Sequence, residues 1–128
     1  MKKLFIPFFL LGLLLNACKK DNAVAPSMVG YWVGKYGNTS GAAQTDYAFL
    51  LDANGSMKVY ANNADTAKAS KAKGTYFISG TKINGTYAYS VNQNYSFTAT
   101  SDEKFTTLSG SWGSGTTTTG NTFFLNKK

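Results

Sequence analysis

The stretch Thr45-Asp46-Tyr47-Ala48-Phe49-Leu50-Leu51-Asp52-Ala53-Asn54-Gly55-Ser56-Met57-Lys58-Val59-Tyr60-Ala61 decides the fold. Tyr47, Phe49 and Leu51 alternate with Ala48 and Leu50, which is the period of a strand with one buried face. Asp52-Ala53-Asn54-Gly55 follows, and Asn-Gly supplies the positive φ that a tight reversal needs. Met57, Val59 and Ala61 then alternate with Lys58 and Tyr60 on the way back. The stretch is a β-hairpin. A lone hairpin is marginal in water, so further strands must cover its apolar face.

The remaining chain supplies them. The same alternation predicts strands over 29–35, 74–79, 81–90, 95–100, 105–114 and 121–126. The breaks are Gly80, Val91-Asn92-Gln93-Asn94, Ser101-Asp102-Glu103-Lys104 and the Thr-rich run 115–120. Residues 62–72 carry Ala64, Ala67, Ala69 and Ala72 but no large apolar face, so they read as a loop with room for a short helical turn. Lys68, Lys71 and Lys73 read there as a solvated rim. Eight short strands at even spacing make a closed antiparallel meander or a sandwich. Closure is favoured. No long crossover is present, and Gly34, Gly85 and Gly110 suit the coiling of a small barrel. Closure also removes exposed edges. The expected fold is all-β: an eight-stranded antiparallel up-and-down barrel over 29–128, after an N-terminal signal helix and a short tether.

Composition agrees. Gly, Thr, Ser, Asn, Tyr and Phe dominate the chain after residue 18, which disfavours helices and favours strands. All 13 basic residues are Lys, against six acids, and there is no Arg or His. Arg is the residue of choice for bidentate recognition of phosphate and base edges, so its absence, with the lysines spread along the chain, argues against a nucleic-acid partner. The lysines read as a solubility device or a weak attraction to anionic lipid.

At the start, Lys2 and Lys3 precede an apolar run over 4–15. Twelve helical residues reach ~18 Å, short of the ~30 Å of a bilayer core. A charged start, a short apolar run and a small residue before the cut make a secretory signal over 1–17. Leu15-Asn16-Ala17-Cys18 resembles a bacterial lipobox, with Asn16 a departure at the position before Ala17. The resemblance implies cleavage before Cys18, a diacylglycerol on its sulfur and an acyl chain such as palmitate on its amine. Two or more chains anchor a protein firmly to membrane lipid. The other reading is an ordinary signal peptide with an incidental thiol, and a free thiol is a liability in a secreted protein. Residues 18–28 then form the lipidated cysteine and its tether. The spacer 19–27 reaches ~30 Å when extended. The expected location is a bacterial outer membrane or cell surface. The mature chain would carry eleven lysines against six acids, a formal +5.

Gly30-Tyr31-Trp32 opens the first strand, and a Gly-x-Trp there resembles the lipocalin and calycin superfamily. The resemblance implies a barrel with one closed end and a ligand cavity. It makes Trp32 structural, packed across the closed end beneath a basic residue from near the last strand. Lys127 is the candidate, through cation–π contact. Avidins, a related barrel family, need several tryptophans and a polar cluster after the first strand, which two tryptophans and Gly34-Lys35 do not supply.

Catalysis needs a nucleophile or an acid–base group at a tuned pKa. The chain has no His, its one thiol is Cys18, and its six carboxylates are scattered through tether, turns and single positions. No enzyme, metal site or cofactor is expected. Asp52-Ala53-Asn54-Gly55 faintly resembles a calcium loop but lacks the later acidic ligands. Binding is what remains. An eight-stranded barrel holds side chains or one small ligand. The candidate lining is Tyr47, Phe49, Tyr76, Tyr87, Tyr89, Tyr95, Phe97 and Trp112, and Leu51, Met57, Val59, Ile78 and Leu108 share the inner face. Either these side chains fill the barrel as core, or the tyrosines wall a pocket for a small hydrophobic or amphipathic ligand. Tyr87, Tyr89 and Tyr95 are the best pocket candidates, because tyrosine suits a dry interior poorly. Oligomeric state is left open by the sequence.

Overall fold

A computed structural model describes residues 25–38 and 42–128. Eight strands follow in order: β1 (Gly30–Asn38), β2 (Thr45–Leu51), β3 (Ser56–Ala61), β4 (Ser70–Ser79), β5 (Lys82–Ser90), β6 (Gln93–Ser101), β7 (Thr107–Ser114) and β8 (Asn121–Lys127). Each pairs antiparallel with the next, and β8 pairs with β1, so the sheet closes as an up-and-down barrel. No helix occurs among the described residues. The expected signal segment 1–17, Cys18 and tether positions 19–24 lie outside them.

Several boundaries differ from expectation, among them β6, which starts at Gln93 inside the expected turn and not at 95; three others have a plain physical reason. β4 starts at Ser70, not at 74. Ser70-Lys71-Ala72-Lys73-Gly74 keeps the period of two, but its inward set is small, so it carries no hydrophobic signal. Ala72 is nonetheless buried in the core. The loop before it holds one helical turn: the Ala69 N–H donates to the Asp65 carbonyl at 2.9 Å, and the Asp65 carboxylate accepts from the Ala67 N–H at 2.9 Å. β7 starts at Thr107, because Phe105 sits in the preceding turn with φ +53°. Its ring packs against the core from that position. β1 runs on to Asn38, which brings Tyr36 onto the inner face beyond Trp32 and Gly34.

The middle of the barrel is filled. Phe49, Phe97 and Phe123 form a triangle with ring centroids 5.0, 5.3 and 6.2 Å apart, in the tilted and edge-on geometries aromatic rings prefer. Leu51, Met57, Val59, Ile83, Leu108 and Leu125 complete the layer and are fully buried. Ile78, expected inside, stands at the rim and is exposed. So narrow a cylinder forces its strands close together. A Cβ at Gly34 would lie 1.9 Å from the Phe124 carbonyl oxygen, and one at Gly74 1.9 Å from that of Thr86.

One end is plugged. Trp32 has no exposed surface, and its indole N–H donates to the Met28 carbonyl at 2.8 Å. Met28, assigned to the tether from sequence, is buried with it, because its side chain fills the space beneath the indole end of the core. The Lys127 ammonium lies 5.6 Å from the Trp32 ring centroid and donates to the Ser27 carbonyl. The basic residue over Trp32 is therefore in place.

Candidate functional site

The opposite end is a cup. On five of the eight strands, the inward position past the phenylalanine layer is a tyrosine or tryptophan. Tyr47 precedes Phe49 on β2, Tyr95 precedes Phe97 on β6, and Tyr87 and Tyr89 follow Gly85 on β5. Tyr36 and Trp112 arrive the same way on β1 and β7. Together with Ala61, Asn62, Ser70 and Gln93 they line a cavity of about 270 Å³. Its floor is the core: Tyr47 stands 5.0 Å from Phe49 and 5.6 Å from Phe123, ring to ring.

The rings brace one another. Tyr87 and Tyr95 stack at 5.5 Å, and Trp112 takes Tyr36 edge-on at 5.5 Å and Tyr95 at 5.3 Å. The hydroxyls are partly paired. Tyr47 and Tyr87 share a buried hydrogen bond of 2.7 Å. Tyr36 donates to the Asn62 side-chain oxygen at 2.9 Å, and the Asn62 amide donates to Ser70 at 3.2 Å. Asn62 can serve here because it tolerates its φ of +70°, which turns its side chain into the cup rim. The Trp112 indole nitrogen is buried and has no partner among the described residues. That contrasts with Trp32, whose N–H is satisfied, and buried tryptophans usually are.

Among the described residues, no charged side chain lines the cup. Burial pushes the Tyr47 hydroxyl well above the ordinary tyrosine value, and the neighbouring Tyr87 adds to the effect. Burial raises Tyr87 and Tyr89 as well. All three therefore stay protonated across the physiological range. The cup offers neutral donors, acceptors and ring faces.

Of the residues expected to line a pocket, Tyr47, Tyr87, Tyr89, Tyr95 and Trp112 meet in the cup. Phe49 and Phe97 lie below it with almost no exposed surface, because the barrel is too narrow there to leave space. Tyr76 is at the plugged end, where its hydroxyl donates to the Asp52 carbonyl and holds the β2–β3 turn. That turn is closed on itself. Ser56 donates through its N–H to Asn54 and through its hydroxyl to Asp52, so the faintly calcium-like stretch is a hairpin reversal. Among the described residues, no three His, Cys, Asp or Glu side chains are grouped for a metal. Sequence reasoning missed Tyr36, Asn62, Ser70 and Gln93. For Tyr36 a signal existed: Trp32, Gly34 and Tyr36 keep the period of two.

No protein-family model, curated protein or solved structure matches this chain.

Proposed function

We propose that this chain is a lipid-anchored envelope protein of lipocalin-like build whose barrel mouth binds a small, neutral, amphipathic molecule. The observation that carries the reading is the cup: about 270 Å³, walled by tyrosines and Trp112, with no ionised side chain in its lining. Ring faces suit the flat apolar part of a ligand, and the hydroxyls, Asn62 and Gln93 suit its polar atoms. The filled core beneath sets the depth, so the ligand sits in the mouth and does not thread the barrel. Anchoring rests on Leu15-Asn16-Ala17-Cys18 following a charged start and a short apolar run. The protein holds its ligand without transforming it, since among the described residues no histidine, thiol, carboxylate or amine lines the cup to activate its hydroxyls.

A second reading follows from the filled core. The barrel is then a solid module that engages a protein or glycan through its outer surface. Phe77 and Phe124 are the large rings most exposed for that purpose. They stand on β4 and β8, four strands apart, and so form no single patch, which is why the cup is preferred.

Native mass spectrometry of the full chain, extracted in mild detergent from its own host, tests both parts. The expected spectrum shows a co-purifying small molecule, lost in Tyr95→Ala and weakened in Trp112→Phe, and an acyl mass on Cys18. Wild-type protein without any adduct, tested against the same extract, ends the cup reading. A retained signal segment with an unmodified thiol ends the anchoring reading.

A further inference from the structure

The outer wall of β3 and β4 carries a feature unrelated to the mouth. Lys58 and Lys73 are register partners, and so are Tyr60 and Lys71, all four facing outwards. Residues directly opposite in an antiparallel pair have Cβ atoms ~5 Å apart, and like charges there are destabilising. Lys71 and Lys73 are two positions apart on one strand, ~7 Å along it. Three lysines thus flank one stretch of wall, and the Lys71 ammonium reaches the Ala67 carbonyl at 3.5 Å. With Tyr60, Thr66 and Ala67 they line a groove of about 360 Å³.

No carboxylate relieves the charge. Among the described residues, the ion pairs are Lys35–Asp46 and Lys68–Asp65, and neither includes these three lysines. Lys68, which sequence grouped with Lys71 and Lys73, is drawn off by Asp65 at 3.7 Å. Lys58 takes its place, brought in by the hairpin register. Beside the lysines the same wall turns apolar. Leu50 pairs with Lys58 on one side and with Tyr31 on the other, and Tyr31 meets Tyr60 edge-on at 6.5 Å. A cationic cluster against an aliphatic and aromatic strip matches a molecule with an anionic head and an apolar tail. A compact, multiply charged head suits three lysines, and phosphate is the group that lysine binds as a point charge.

We propose that this wall is a binding groove for a phosphate-bearing amphiphile, with Lys58, Lys71 and Lys73 on the phosphate and Leu50, Tyr31 and Tyr60 along the tail. The site is separate from the mouth and does not depend on what the mouth binds.

The test uses the full chain in a non-ionic detergent at constant ionic strength, read by the lysine side-chain NMR signals. The probes are inorganic phosphate, a short-chain phosphatidic acid and a short-chain phosphatidylcholine. Phosphate is expected to shift three lysines saturably, the three removed one by one in Lys58→Gln, Lys71→Gln and Lys73→Gln. Each single variant should weaken binding about two- to fivefold, as expected for an exposed ion pair, and the triple variant should abolish it. Lys82→Gln, at the start of β5, should change nothing. Phosphatidic acid should bind at least about tenfold tighter than phosphate, since its tail buries apolar surface. Equal affinity for the two would overturn the amphiphile and leave a soluble phosphate compound as the ligand. Shifts spread over all lysines, or unchanged binding by the triple variant, would overturn the site altogether.

Discussion

The two tryptophans do opposite work at opposite ends. Trp32 is satisfied, fully buried and covered by Lys127, so its value is structural. Trp32→Ala should cost about 3–5 kcal/mol, as large aromatic deletions in cores do. That is a large part of the ~5–15 kcal/mol that holds a domain folded. Lys127→Met keeps the stem over the ring and removes only the charge, so it should cost about 1 kcal/mol or less. Chemical denaturation of the two variants separates the contributions. The buried Trp112 N–H finds no partner among the described residues, the opposite of Trp32. The tyrosines around it make stability depend on pH in a defined direction. Tyr47, Tyr87 and Tyr89 have folded pKa values raised above the ordinary 10.0, first of all by burial. Their contribution is full below that value and is lost as pH climbs above it, because the unfolded chain releases those protons more readily. Tyrosinate absorbance should therefore lag in the folded protein and appear together with loss of the circular dichroism of the barrel. Gradual ionisation of all eight tyrosines near pH 10, with the fold intact, would contradict the buried cup.

Turns and strands show where the sequence was legible and where it was not. The hairpin of β2 and β3 read correctly because large inward residues alternate with others and Asn54-Gly55 marks the turn; Gly55 takes φ +83°. β4 read short because Ser70, Ala72 and Gly74 point inwards without bulk. Period alone reveals such a strand, and hydrophobicity does not. Five of the eight pocket candidates reached the cup, since parity gives the face but not the height along the barrel. Height depends on register and on strand ends, which is also why Tyr36 was missed. The β6–β7 turn hides another device. Phe105 adopts a left-handed backbone that phenylalanine rarely takes, and Asp102 holds the turn around it. The Asp102 carboxylate accepts from the Thr107 and Thr106 N–H groups and the Thr106 hydroxyl, all at 2.7 Å. Those bonds, the Thr107 backbone bond foremost, hold its pKa well below the ordinary 3.8. A depressed pKa contributes stability that is present above the ordinary value and fades as pH falls below it. Asp102→Asn should therefore be less stable than wild type at neutral pH, with the gap narrowing below about pH 4. Thermal melts across that range measure it. A gap that stays constant down to pH 2 would mean the carboxylate charge is not what holds the turn.

At the scale of the molecule, closure does what any single hairpin cannot. β1 and β8 share seven register pairs, from Trp32↔Lys127 to Asn38↔Asn121, and that seam leaves no strand edge open. It also places the start of β1 beside the residue after β8, since the Lys128 N–H donates to the Tyr31 carbonyl at 2.9 Å. If the closed cylinder is the unit of stability, the order in which the chain visits the strands matters little, and the seam matters a great deal. A short flexible linker from residue 128 to residue 25, with new termini opened between Val91 and Asn92, tests this. The β5–β6 turn there is exposed and its flanking residues Ser90 and Gln93 are already paired, so cutting it removes almost no packing. The permutant should fold and melt within several degrees of the uncut barrel, because a loop of different length changes closure entropy only slightly. Deleting 121–128 should do the reverse. It removes Phe123 and Leu125 from the core and bares the edges of β1 and β7, so the product should unfold and aggregate. A truncated chain that stays monomeric and melts cooperatively near the original temperature would show that seven strands suffice and that the seam is dispensable.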